Sequence, residues 1–393
     1  MSELPKSAVD GVAQAVDVDR LVETAVRLVE VPSPTRDAGA VADRLEEILK
    51  EDGFSVERPV ADWPEAPAVV VRVETDAPGR VLQFDGHLDT VHLPFAPPRV
   101  ADGILHGSGA SDMKGGIAAC VEAMRVLRQT GLLSAGGVLL TAHDHHEGPW
   151  GDRRQVRALI DEGYTGDAVL FPEYLYDCIP LAGRGMAIWE VVLKREGTPV
   201  HEVLAAPGTP DVIGTGTAVF RELQRLQSEI SLITDIYAGA DSVFVGRFAS
   251  GEIYNQVPTE CRLNGTRRWV TPGQVQEVEK AFRDLVGRIA TDAGATAEVS
   301  FAVQGDAFRI DDADPIVSAF QDAHQAVSGS RLPAGGKPFV DDGNTYAPRA
   351  GIPALTHGPN ATGAHTNNEE VPVAELVRVA KTYALTAIGY CDQ

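Results

Sequence analysis

The stretch Phe84-Asp-Gly-His87-Leu-Asp89-Thr90, followed by Gly109-Ala-Ser-Asp112-Met-Lys-Gly-Gly116, decides the fold of this chain. Val81–Phe84 is a short apolar run typical of a buried strand, and Gly86 lets the backbone turn at its end. His87 and Asp89 are two residues apart, so on an extended backbone their side chains point the same way. One imidazole nitrogen can then bind a metal ion while the other donates its N–H to Asp89, which fixes the direction of a ligand histidine. Asp112 lies in a Gly- and Ser-rich loop just ahead of an apolar helix, where a carboxylate could bridge two cations. A His-x-Asp alone is more often a satisfied histidine than a metal site. The Ser-Asp-Met-Lys-Gly-Gly at this distance turns the reading toward metal.

Outward from that stretch, strands and helices alternate. Leu21, Val22, Ala25, Val26, Leu28 and Val29 share one helical face, and Val31-Pro-Ser-Pro34 stops that helix. Val41, Leu45, Ile48 and Leu49 mark a second amphipathic helix that closes at Gly53. Strands are expected at 68–73, 80–84, 137–142 and 167–171, with helices at 115–131 and 152–163 between them. This order argues for an α/β sheet whose ligands gather at the carboxyl ends of its strands. His87, the His143–Glu147 cluster and Glu173 all fall at such ends. After Gly183-Arg-Gly185 the pattern becomes strand, helix, strand, strand, helix, strand over 188–302, which suggests an inserted ferredoxin-like α+β domain. The expected division is 1–186 and 304–393 for a catalytic domain with a mixed sheet flanked by helices, and 187–303 for the insert.

A chain of 393 residues suits two domains, and 44% hydrophobic with 23% charged residues is the composition of a globular protein. The net charge of −22 argues against nucleic acid or anionic membrane as partners, since both need a basic face. The first residues contain no apolar run of the signal-peptide kind, and nothing approaches the ~18 apolar residues of a membrane span. Cys120, Cys178, Cys261 and Cys391 lack paired spacing, so they read as free thiols in a reducing cytoplasm.

The two quoted segments resemble the aminoacylase / acetylornithine deacetylase / succinyl-diaminopimelate desuccinylase / glutamate carboxypeptidase family of zinc metallohydrolases. That family carries Gly-His-x-Asp-Thr and then Gly-x-x-Asp-x-Lys-Gly-Gly, and the likeness runs over nearly the whole chain. It implies a zinc-peptidase-like catalytic domain, an insert that acts as lid and dimerisation domain, and two zinc ions per subunit, with cobalt or manganese as substitutes. It further implies that His87 ligates one metal, Asp112 bridges both, Glu173 completes the first, and His365 serves the second. His365 lies in Gly358-Pro-Asn-Ala-Thr-Gly-Ala-His365-Thr-Asn-Asn-Glu369, similar to the family's Gly-Pro…Ala-His-x-x-Asn-Glu. The implied reaction is hydrolysis of an amide in an N-acyl amino acid or small peptide that bears a carboxylate. Two metals would activate the water and polarise the carbonyl.

The chain departs from the family at His143-Asp144-His145-His146-Glu147-Gly148, where relatives have two adjacent glutamates, a general base and then a ligand. A base beside a metal-bound water is best a carboxylate, since an imidazole there is drawn onto the metal. The preferred assignment makes Glu147 the base and His146 a ligand. Glu147 as ligand with His146 second comes next, then Asp144 with His145. Gly197-Thr-Pro-Val-His201 resembles the lid motif whose histidine supports the oxyanion, and Asn255 matches a second lid residue near the substrate. Arg267 and Arg268 alternate faces on a strand, so only one can hold a substrate carboxylate, and Arg268 is preferred. Asn344, in Asp341-Asp342-Gly343-Asn344, falls where relatives have a substrate loop.

Three other classes compete. Gly107-Ser108-Gly109 lacks the first glycine of a nucleophile elbow, which disfavours a serine hydrolase. A metal-dependent aminopeptidase usually lacks an insert with a Gly-x-x-x-His motif. A catalytically inactive binding protein would explain the altered glutamates but not the retained ligands.

Overall fold

The computed structural model describes residues 4–392. The chain divides into two compact units: residues up to Leu181 with Ile310–Lys337 and those from Asp341 onward, and Ala182–Arg309 with Pro338–Val340.

The first unit is built on a six-stranded sheet in the order Val56–Glu57, Val69–Glu74, Gly137–His143, Val81–His87, Ala168–Phe171, Ala354–Thr356. Val81–His87 runs parallel to both neighbours, with Phe84 opposite Leu140 and Leu170 and with His87 opposite His143. Ala354–Thr356 extends the parallel set, and Val69–Glu74 pairs antiparallel to Gly137–His143. Gly137–His143 is buried along its whole length, as expected for a strand covered on both faces. The helix Lys114–Thr130 is buried without a break from Lys114 to Leu127. It lies between the sheet and the helices Val18–Val29 and Val373–Cys391, so apolar residues ring it instead of forming a stripe.

Gly115 and Gly116 open that helix because nothing larger fits. A Cβ on Gly116 would meet the carbonyl oxygen of Pro172 and, at 2.7 Å, its Cβ. The close approach brings the segment carrying Asp112 against the one carrying Glu173. A small sheet of Arg99–Ala101, Ile104–His106 and Glu370–Pro372 then lays Glu369 along the Asp112 loop. Strands this short leave no periodicity to read, and none was expected there. The segment read as a substrate loop is instead the start of a helix, Gly343–Ala350.

The second unit has an antiparallel sheet in the order Ser242–Ser250, Glu260–Trp269, Gly185–Lys194, Thr296–Gly305, with helices Val212–Ile230 and Val275–Asp292. Trp189, Leu263, Trp269, Phe282 and Val286 form its core. This is the ferredoxin-like α+β arrangement. Among the described residues, no helix is long and apolar enough to cross a membrane.

Candidate metal centre

Three parallel strands end at one rim, and each delivers donors. His87 closes its strand with Nε2 3.2 Å from Asp112 Oδ1 and 3.8 Å from Glu173 Oε1. Its Nδ1 sits 2.8 Å from the main-chain oxygen of Asp89 and 3.7 Å from Asp89 Oδ1. The carboxylate of Asp89 is occupied elsewhere, accepting the backbone N–H of His146 at 3.1 Å and of Glu147 at 2.8 Å. Asp89 thus holds His87 with its carbonyl and the 146–147 backbone with its side chain.

His146 and Glu147 diverge from that clamp. Glu147 Oε2 lies 3.1 Å from His365 Nε2, which is 3.3 Å from Asp112 Oδ2. His146 Nε2 is 3.7 Å from Glu173 Oε1, and its Nδ1 is 2.6 Å from Asp342 Oδ2. Asp144 and His145 turn away: the Asp144 carboxylate accepts the backbone N–H groups of Arg36 and Ala38, and the His145 ring packs edge-on to Trp63.

Two donor groups result, His87–His146–Glu173 and His87–Asp112–Glu147, each with its ligand atoms within 4.8 Å of one another. Their electrostatics call for cations. Burial and the Asp112 charge push Glu147 up to about 7, and the same two causes push Glu173 well above the carboxylate range. Burial opposes protonation of His87, yet Asp112 holds its imidazole well above the ordinary value. Asp112 and Glu147 raise His365 to about 10. Carboxylates this crowded need positive charge between them, and imidazole with carboxylate is a donor set suited to zinc-like divalent ions. A third group, Asp85–His143–Asp342, also has the spacing of a metal site. Asp85 there already accepts the Tyr346 hydroxyl at 2.9 Å, and its charge raises the buried His143 to about 9 against the desolvation, so an imidazolium supplies the positive charge.

Two residues with work to do here were not singled out from sequence. Glu369 accepts the N–H groups of Gly109 at 3.0 Å, Ser111 at 3.1 Å and Asp112 at 3.1 Å, fixing the loop that carries Asp112. Its only signal was its place at the end of the His365 segment. Asp342 holds His146. Asn344, two residues on, is enclosed in the protein and its Oδ1 faces the backbone N–H of Asp341 at 3.3 Å.

In the second unit, His201 Nε2 lies 3.0 Å from Asn255 Nδ2, so two motifs read separately form one pair. Arg267 is ion-paired with Asp241 at 2.8 Å, whereas Arg268 Nη1 is buried without a partner. Burial, then Arg184 nearby, lowers the pKa of Arg268.

The profile of peptidase family M20/M25/M40 matches residues 84–388. The chain belongs to that family. M20 peptidases are metal-dependent hydrolases of amide or peptide bonds, and this chain is one. It is 26% identical over 383 residues to a succinyl-diaminopimelate desuccinylase of Methylorubrum populi, covering 91% of this chain and 94% of that protein. The fold matches a Staphylococcus aureus tripeptidase with a TM-score of 0.80 at 20% identity, over 96% of this chain and 100% of the other. It also matches a dinuclear metal-binding M20 peptidase of Bacillus subtilis with a TM-score of 0.69 at 19% identity, over 94% and 97% of the two chains.

Proposed function

We propose that this M20 peptidase is a two-cation deacylase or small-peptide hydrolase acting on substrates with a free carboxylate. The observation that carries the reading is the pair of donor clusters that share His87, with Asp112 reaching from His87 at 3.2 Å to His365 at 3.3 Å. His87, Asp112 and Glu173 would hold one divalent cation, and Asp112 and His365 the other. When bound, such ions polarise an amide carbonyl and generate the nucleophile from water at neutral pH.

The chain's own residues supply the rest. Glu147, its backbone N–H held by Asp89 and its carboxylate grouped with His87 and Asp112, is the carboxyl placed to take and return the proton of the water. Its 3.1 Å approach to His365 supports a second reading, in which Glu147 helps hold the second cation. His201, steadied by Asn255, is suited to donating to the developing oxyanion, a contribution of roughly 3 kcal/mol for a positioned donor. Arg268, with a buried unpaired Nη1, offers its fork to the substrate carboxylate. The desuccinylase relatives act on an N-acyl diamino acid, which fits that demand. Zinc is the proposed ion, and unpaired cysteines support a reducing, cytoplasmic setting.

The test is metal analysis with a screen of N-acyl amino acids and dipeptides, before and after chelation, with zinc, cobalt or manganese restored. Two divalent ions per chain and chelator-sensitive hydrolysis are expected. A chain that binds no divalent ion and gains no activity from one would sink the proposal. Glu147→Gln assigns that residue: two retained ions with kcat lowered on the order of 10²-fold or more mark a base, and one lost ion marks a ligand.

A further inference from the structure

The loop that carries Glu147 turns straight back on itself. Glu147-Gly-Pro-Trp150-Gly151 closes as one turn, with the Gly151 N–H donating to the Glu147 carbonyl at 2.6 Å. Trp150 therefore stays within a turn of Glu147, and it is held there from two further sides. Its carbonyl accepts from Arg36 Nε at 3.1 Å, and its ring lies against His92, with centroids 3.9 Å apart and planes 47° apart. His92 follows Asp89 by three residues and donates through Nε2 to the Thr35 carbonyl at 3.0 Å. The Thr35 hydroxyl closes the circuit, donating to the Glu147 carbonyl at 3.3 Å. Ser33 adds a bond from its hydroxyl to the Leu88 carbonyl and one to its own carbonyl from the Thr90 N–H, both at 2.8 Å. Residues 33–36, which the sequence marks only as a helix stop, thus stitch together the loops that follow His87 and His143.

Held in this way, Trp150 still leaves 42% of its surface to solvent, and Leu93 and Phe95, just beyond His92, are 45% and 40% exposed. A large ring fixed on one side and open on the other loses little freedom when a ligand covers it, which is what a recognition surface requires. We infer that Trp150, backed by His92, is a platform that selects substrates with an aromatic ring next to the scissile amide. This names a substrate class for the deacylase reading above and rests on it. Ring-on-ring contact, offset or edge-on, adds selectivity beyond the area covered, so the platform favours a ring over an aliphatic group. An N-aroyl group and an aromatic amino acid share this chemistry on opposite sides of the bond. Trp150 and His92 belong to the first unit together with the donors of the centre. Trp150 is the contact, while His92 and Thr35 act through it and are positioning residues.

Sulfonyl analogues test the platform without turnover, because a sulfonamide is not cleaved as an amide is. Zinc-loaded full-length protein is titrated calorimetrically with N-phenylsulfonylglycine, N-methylsulfonylphenylalanine and N-methylsulfonylglycine. The first carries its ring on the acyl side, the second on the amine side, and the third has none. One ringed probe should bind on the order of 10-fold more tightly than the ringless one, and which of the two does so assigns the side. Trp150→Leu keeps an apolar side chain without a π face and should bring that ratio to about one, whereas Trp150→Phe should keep most of it. His92→Ala should lower the ratio, and His92→Phe, which leaves a ring behind Trp150, should restore it. Circular dichroism and zinc content check each variant. No ring advantage in the natural chain, or one that survives Trp150→Leu, would overturn the inference. The matching carboxamides are assayed in parallel: a ring advantage with none of them hydrolysed counts against the deacylase reading, and hydrolysis without a ring advantage counts against the platform.

Discussion

Lys114 shows how much charge the centre's surroundings carry. It is fully buried one residue from Met113, and its Nζ donates to the Val31 carbonyl at 2.7 Å. Burial pushes its pKa down from 10.5 to about 7, against the pull of Glu369 and Asp89. The unfolded chain holds this proton up to about 10.5 while the folded chain releases it near 7. In that window the unfolded state binds more protons, so Lys114's contribution to stability improves as pH rises. Lys114→Met keeps the length and removes the proton. Comparing urea unfolding of metal-free proteins, the natural chain should gain on the variant by on the order of 2–3 kcal/mol between pH 7 and 9.5. An unchanged difference would mean the lysine keeps its proton when folded. That His87, Asp112 and His365 come together could be anticipated from short motifs with fixed flanks, and Glu173 from its place after a buried strand. Asp342 and Glu369 could not, since their partners, His146 and the Asp112 loop, lie 196 and 257 residues away. Alternation along the strand left one of Arg267 and Arg268 to serve, with Arg268 preferred; the Asp241 that pairs with Arg267 lies 26 residues away and could not be read from the sequence.

At the scale of elements, two glycines in helices make opposite demands. Gly116 begins Lys114–Thr130 pressed onto Pro172, whose Cγ would lie 3.0 Å from an added Cβ. Gly287 lies within Val275–Asp292, and an added Cβ there meets nothing within 4 Å. Alanine is the better helix former, so Gly287→Ala should raise stability by about 0.5–1 kcal/mol. Gly116→Ala should lower it by roughly 1–3 kcal/mol, and weaken cation binding as well, because Asp112 and Glu173 are pushed apart. Thermal unfolding of both variants, with metal affinity for Gly116→Ala, checks this. Equal shifts in the same direction would show that propensity alone governs the two sites. Elements with long apolar periods, such as the helices Val18–Val29 and Val275–Asp292, were legible. Gly343–Ala350 was not, because Gly343 and Pro348 speak against a helix that Tyr346 and the sheet strands beneath it stabilise by packing.

For the whole molecule, a homodimer is the proposed assembly. Ser242–Ser250 is an edge strand bearing Phe244, 63% exposed, and Phe248, 41% exposed, a surface that a lone chain leaves wet. Since the resemblance implies that the insert is a dimerisation domain, we propose that its histidine, His201, serves the partner's centre. Mixing a His201→Ala protein with a His87→Ala protein should then give activity that neither parent has, after subunit exchange. An active monomer in sedimentation, or no regained activity, would confine His201 to its own chain. The clamp of Glu369 on Ser111 and Asp112 bears on another matter, the order in which a ribosome delivers the parts. The loop that Glu369 holds is made some 257 residues before Glu369 itself, with the entire ferredoxin-like insert translated in between. Through that interval the nascent chain exposes a cluster of carboxylates and imidazoles whose last ligand and last clamp do not yet exist. On the two-cation proposal, loading should therefore follow the synthesis of Glu369, and a cell short of the metal should accumulate empty chains already translated past it.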